Sequence, residues 1–377
     1  MKLNFFSAVV LGLSFSNFSA VAETGVTDKM ITVGQVAPLS GPAAALGTGM
    51  KAGAMAFFKK TNASGGINGK TINLISRDDG YEPEKTVENT NKLIDNDKAF
   101  FLFGYVGTPT GKVTIPLVDK ANIPLVGLFT GAEIFREPVN KNIFNIRASY
   151  FDEAEALIAG VADDLKLKKV GVFVQDDAYG AAVEDGVKRA LERRSLIISG
   201  RGVYKRNTTE VTEGVKALKD AAPEAIVMVG TYKAVSAFVK QAKAAGIKSK
   251  FLNVSFVGTS ALIRELGAEG DGVYISQVTP SPWDTTVPVV KEYQAAMGAT
   301  DYDYTSLEGY ISAKVAVEAL KAAGANPTRD SFRTALNALS TDVGGFQVSF
   351  KDSNHSGSKK VWMTMIKGGK VVPVTKM

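Results

Sequence analysis

The sequence predicts an α/β protein built from two doubly wound parallel-sheet lobes. Three observations carry this expectation. Short β-branched or aromatic runs alternate with amphipathic helical stretches, as parallel sheets with crossover helices require. The rhythm restarts midway along the chain, and 377 residues exceed what one hydrophobic core usually organises.

The chain opens MKLNFFSAVVLGLSFSNFSAVAE, one Lys, an apolar stretch and Ala20-Val21-Ala22 before Glu23, the pattern of a secretory signal peptide cut after Ala22. Ser14, Ser16, Asn17 and Ser19 interrupt the run short of the roughly 20 apolar residues that a membrane anchor needs. Strands are then expected at MITVGQVA (30–37), INLIS (72–76), FFLFG (100–104) and IPLVG (123–127). Between the first two, a helix over 48–61 puts Met50, Ala54, Phe57 and Phe58 on one face and leaves Lys51, Lys59 and Lys60 outside it. Ser64-Gly65-Gly66 stops it.

The second half supplies KVGVFVQ (169–175), LIISGRGVY (196–204), AIVMVG (225–230), FLNVSF (251–256) and GVYISQ (272–277), with helical segments such as AAVEDGVKRALERR between them. From Pro280 onward come three helical patterns, VPVVKEYQAAM, SLEGYISAKVAVEALKAAG and RDSFRTALNAL, and then the strand-like FQVSF and VWMTMI. No low-complexity linker separates the halves, so they are expected to be closely coupled.

The net charge of +6 comes from Lys and Arg scattered among almost as many Asp and Glu, and the densest cluster, Lys166, Lys168 and Lys169, reads as a helix end. No nucleic-acid partner is expected. The chain has no Cys, which excludes disulfides, thiolate metal sites and a lipid-modified N-terminal cysteine.

Two stretches imitate nucleotide sites. GYVGTPTGKVT (104–114) comes close to the phosphate loop GxxxxGK[ST], but Val106 replaces the first glycine, Val113 replaces the metal-binding hydroxyl, and Pro109 removes a backbone donor. What remains is a strand end with Thr108 and Thr110 as hydroxyl donors, suited to a small carboxylate. Alternatively, Thr108 and Pro109 are simply the N-cap and first residue of a helix. LGTGMKAG (46–53) lacks the GxGxxG spacing and an acidic residue placed for a ribose.

Catalysis has little support: the single His355 sits in KDSNHSGSKK, where it is expected to be solvated, and no GxSxG or HExxH occurs. The pairs Asp78-Asp79 and Asp176-Asp177 read as helix caps and loop formers. No enzyme activity, cofactor or metal is expected. Aromatic residues recur at the strand ends, Tyr105, Phe129, Tyr179 and Tyr232, with Tyr150 between the halves, and would line a pocket with apolar walls and hydroxyl tips.

ITVGQVAPLSGPAAALGTGMKAG, GGINGKTINLISRDDGYEP, FGYVGTPTG, FTGAEIFREP, FNIRASYFDEA and VFVQDDAYG, in this order, resemble the type I periplasmic solute-binding proteins of the leucine/isoleucine/valine-binding family, the receptors of ABC importers. The resemblance implies two lobes joined by a three-segment hinge, near 145–150, 276–280 and 344–346. It divides the chain into a signal peptide (1–22), an N-terminal lobe (23–147 plus 279–345) and a C-terminal lobe (148–278 plus 346–377). Ligand would bind between the lobes and close them by hinge bending. The positions that match the family's carboxylate site are Thr108, Phe129, Thr130 and Gly131, with Leu46 as a wall residue and Tyr179 and Tyr232 from the C-terminal lobe.

One position departs from the family. Leucine binders place an acidic residue after the FLNVSF strand to pair with the ligand's ammonium, and this chain has Ser255 there. Either another carboxylate such as Asp177 supplies the charge or the ligand has no amino group. The expected function is therefore capture of a small carboxylate-bearing solute, of the branched-chain or apolar amino-acid type, by a periplasmic monomer that serves ABC permease subunits. The alternatives are a non-amino aromatic or short-chain organic acid as ligand, a sensor for a membrane receptor, or a secreted enzyme using His355 or Asp177.

Overall fold

The computed structural model describes residues 23–298, 302–351 and 354–377; the expected signal peptide lies outside them. Two sheets organise the chain. The first has strands β1 (Met30–Ala37), β2 (Thr71–Asp78), β3 (Phe101–Phe103), β4 (Leu125–Val126) and β5 (Ile143–Phe144), all parallel, in the order β2-β1-β3-β4-β5. β1 is buried from Ile31 to Ala37, as a strand covered on both faces must be, whereas the edge strand β2 buries only Ile72 and is otherwise half-buried or exposed.

The second sheet takes β6 (Val170–Gln175), β7 (Ile198–Tyr204), β8 (Ala225–Val229), β9 (Lys250–Asn253) and β10 (Tyr274–Gln277) in parallel. Apart from the hairpin β11 (Ser340–Asp342) and β12 (Gln347–Ser349), the last strands, β13 (Trp362–Lys367) and β14 (Lys370–Pro373), add an antiparallel edge to it. The order is β14-β13-β10-β9-β8-β6-β7.

The helix read at 48–61 spans Ala44–Ala63 and buries Met50, Ala54, Phe57 and Phe58. It packs on the helix Tyr304–Ala322, with Phe57 edge-on to Tyr310 at 5.0 Å. The late helices thus return to the first lobe: Phe332, on the helix Arg329–Ala338, stands 4.9 Å from Phe101.

The chain leaves the first sheet after Phe144 and enters the second lobe with the helix Tyr150–Ile158, which packs against the helix Ala178–Glu192. It comes back between Gln277 and the helix Pro288–Met297. The third passage differs from its expected place at 344–346. Gly344 and Gly345 form the turn between β11 and β12, held by the Asp342 carboxylate, which accepts from Gly344 N at 2.8 Å. Beyond that turn Phe350 still packs on Phe144, and Asn145 bridges to Ser356, so the passage to β13 follows Ser356.

Candidate functional site

The loops at the carboxyl ends of both sheets meet across a cleft, where open α/β sheets place ligands. On the first lobe, an isolated bridge between Val106 and Phe129 ties the loop after β3 to the loop after β4. It brings Thr108 Oγ1 to 2.7 Å from Thr130 Oγ1, both buried, and Thr130 Oγ1 stands 3.4 Å from the Tyr150 hydroxyl. Gly131 O accepts from Tyr150 N at 2.7 Å. A Cβ on Gly131 would lie 2.6 Å from the Tyr150 ring, so only glycine lets this loop approach so closely.

The facing wall comes from the second lobe. Tyr179 is the second residue of the helix Ala178–Glu192, whose N-cap Asp177 accepts from Tyr179 N at 2.9 Å. Phe256 lies in a single 3-10 turn, Ser255–Val257, because the strand read through FLNVSF ends at Asn253. Its ring centroid is 4.6 Å from Tyr179, 5.4 Å from Phe129 and 6.1 Å from Tyr81, so one side chain meets rings of both lobes. Tyr150 and Tyr179 approach to 5.6 Å. Burial pushes the Tyr150 hydroxyl up to about 12 and the Tyr179 hydroxyl well above its ordinary value, so both are neutral and able to donate. To one side, Ala45 N donates to the Tyr232 hydroxyl at 3.4 Å and Leu46 packs on Gly258, where a Cβ would sit 2.6 Å from Leu46 Cδ2.

The floor holds a guanidinium. Arg147, 1 % exposed, reaches from the first crossing with its Cζ 4.9 Å from the Phe129 ring centroid and 6.0 Å from that of Tyr150. Its Nη2 donates to Ser255 Oγ and to Glu153 Oε1 at 3.2 Å, and Nη1 lies 3.7 Å from Glu308 Oε1. Glu153 is fully enclosed and also accepts from Ser255 N at 2.7 Å, Ser255 Oγ at 3.1 Å and Ser276 Oγ at 2.7 Å. Burial pushes Glu308 up to about 7 against the pull of Arg147.

The mouth is closed by the loop after β7. Arg206 pairs with Asp177 of its own lobe at 3.0 Å and with Glu82 of the other at 2.9 Å. Asn207 Nδ2 donates to Glu82 Oε1 at 2.7 Å and to Gly80 O at 3.0 Å.

Of the residues singled out from the sequence, Leu46, Thr108, Phe129, Thr130, Gly131, Tyr150, Tyr179, Tyr232 and Ser255 gather around this cleft. Tyr105 does not: its hydroxyl meets Thr90 Oγ1 at 3.0 Å inside the first lobe, because the residue points to the helix Pro83–Asp95. The N-cap of the short helix Thr108–Lys112 is Gly107, not Thr108, and the Thr110 hydroxyl is taken by the carbonyls of Val106 and Gly107. Asp177 is already committed to Arg206, Gln175 and the cap, so it holds no spare charge for an ammonium. His355 is buried, stacked on Phe144 at 4.2 Å with Nδ1 2.9 Å from Ile143 O, rather than solvated.

Four residues went unread: Tyr81, Arg147, Glu153 and Phe256. Their signals stood in quoted motifs, DDGYEP, FNIRASYFDEA and FLNVSF, where a lone Arg amid apolar residues at a sheet-to-helix crossing is the plainest.

The fold and cleft define a two-lobed solute receptor, and the chain belongs to the family described as periplasmic binding protein, which it matches over residues 30–370. Within that family it is of the leucine/isoleucine/valine-binding type. It is 33% identical to a possible leucine/isoleucine/valine-binding protein from Rhodopirellula baltica, with a TM-score of 0.88 over 95% of this chain and 98% of that one. A substrate-binding periplasmic protein from Ralstonia solanacearum is 34% identical, with a TM-score of 0.86 over 91% and 99%. The leucine-, isoleucine-, valine-, threonine- and alanine-binding protein of Pseudomonas aeruginosa is 23% identical over 90% of this chain and 89% of that protein. These relatives are substrate-binding proteins rather than enzymes, and among the described residues no helix is long and apolar enough to cross a membrane.

Proposed function

We propose that this protein captures a small organic carboxylate without an amino group in the interlobe cleft and delivers it to the permease of an ABC importer. The observation that supports this reading is the state of the carboxylates around the cleft. Glu153 already accepts from four donors, and Asp177 is held by Arg206, Gln175 and a backbone amide. An ammonium would have to displace one of these donors or share Glu308 with the Arg147 guanidinium 3.7 Å from it, and a buried charge left without a partner of its own costs several kcal/mol. The Thr108–Thr130 hydroxyls and Tyr150 suit the carboxylate end, and the rings of Tyr81, Phe129, Tyr179 and Phe256 suit an apolar body.

Thermal shift with millimolar ligands tests this reading, because a ligand that binds only the folded state raises the melting temperature. De-amino acids with isobutyl or aromatic tails are expected to raise it and the matching amino acids are not. A clear rise with leucine and none with its de-amino analogues would overturn the reading in favour of the amino acids named for the Pseudomonas aeruginosa relative.

A further inference from the structure

Arg147 has more donors than the protein provides acceptors for. Among the described residues, its Nε and Nη1 have no hydrogen-bond partner, and the Glu308 oxygen at 3.7 Å is an ion-pair contact only. The Tyr179 hydroxyl, also enclosed, has no partner either. Buried donors are nearly always satisfied, so two sets left open in one cleft mark a place where an acceptor belongs. Both belong to the same ring cluster: Arg147 lies over Phe129 and near Tyr150, and Tyr179 packs on Tyr150. Tyr150 also links them to the other polar end, since its hydroxyl stands at Thr130 while its ring lies 6.0 Å from the guanidinium. Both donor groups thus border the same cluster of rings.

We infer that Arg147 is a ligand-binding residue whose guanidinium, with the Tyr179 hydroxyl, takes a second oxygen of the solute, so that the cleft selects organic acids carrying a 2-oxo or 2-hydroxy group. This inference rests on the reading that the ligand lacks an amino group. The open guanidinium nitrogens only donate, and an ammonium likewise only donates, so a carbonyl or hydroxyl oxygen is held where an ammonium finds no acceptor. A plain monocarboxylate satisfies the hydroxyls of Thr108 and Thr130 but leaves Arg147 and Tyr179 open.

Isothermal titration of matched acids tests this on the wild-type protein, Arg147→Met, Arg147→Lys and Tyr179→Phe. For each of a methyl, an isobutyl and a benzyl tail, the probes are the 2-oxo acid, the 2-hydroxy acid, the unsubstituted acid and the 2-amino acid. With the tail that fits, the oxygenated acid is expected to bind at least about tenfold more tightly than the unsubstituted one. That preference should vanish in Arg147→Met, and shrink in Tyr179→Phe and Arg147→Lys, which keep the ring or the cation should Arg147→Met fail to fold. Equal binding of oxygenated and unsubstituted acids, or a preference that survives in the variants, overturns this inference alone. Tightest binding of an amino acid, or no binding by any probe, overturns the proposed function with it.

Discussion

The two ends of the cleft join the lobes with the same kind of chemistry in different surroundings. At the mouth, Arg206 and Glu82 are 23 % and 39 % exposed, and water and salt compete for both. At the floor, Arg147 and Glu153 are 1 % and 0 % exposed, and every oxygen of Glu153 is committed. An exposed ion pair is worth little and is easily broken, which would suit a mouth that opens and closes if the lobes hinge as proposed. A buried pair cannot lose one member without stranding the other, which suits a floor that keeps its shape through the cycle.

The largest effect should come from breaking the floor. Glu153→Gln leaves the Arg147 guanidinium enclosed with only the more distant Glu308 carboxylate as ion-pair partner, and the loss of stability in urea denaturation should be about 3–5 kcal/mol. A loss below about 1 kcal/mol would mean that the floor is far better hydrated than its burial implies.

Next comes Glu308, lifted by burial from 4.5 to about 7. A carboxyl whose folded value is raised holds its proton more tightly when folded. Its contribution to stability is therefore full below about pH 4.5, falls as pH rises through the window to about 7, and is flat above it. This part of the pH dependence is on the order of 3 kcal/mol, and stability measured across the window should decline less in Glu308→Gln. An unchanged slope would place the titration elsewhere.

Ligand binding should respond to the first-lobe hydroxyls by a smaller amount. Thr130→Ala and Thr108→Ala should each weaken the binding of the organic acid by about 1–3 kcal/mol in isothermal titration, because its carboxylate loses a buried donor. Wild-type affinity in both would remove the carboxylate from that side of the cleft. The smallest effect belongs to the mouth: Arg206→Ala should weaken binding by less than about 1 kcal/mol, and raising the salt concentration should erase the difference. An effect that persists at high salt would make the mouth resemble the floor.

The two regions also differ in how far the sequence reveals them. Apolar periodicity placed the helix Ala44–Ala63 and its core face, because a 3.6-residue repeat is a local property. The two-residue β5 and the hairpin strand β11 carry too few residues for a pattern. At the site, Thr108 was singled out because a hydroxyl in a strand-end loop is a local signal, whereas Thr130 came only through the family resemblance. Tyr105 shared that signal and turned the other way, since orientation at a strand end is decided by what packs there, here Thr90. Arg147 was hidden because, apart from Glu153, its partners are distant in the chain: Ser255 lies 108 positions away, and Glu308 is on a helix that returns from the far end. Its role becomes visible only when both crossings fold onto one another.

Mass spectrometry of the small molecule released from protein purified in its native periplasmic form tests the central claim most directly. The account predicts an organic acid without an amino group, released in near-stoichiometric amount. Stoichiometric release of leucine, isoleucine, valine or another amino acid would contradict it.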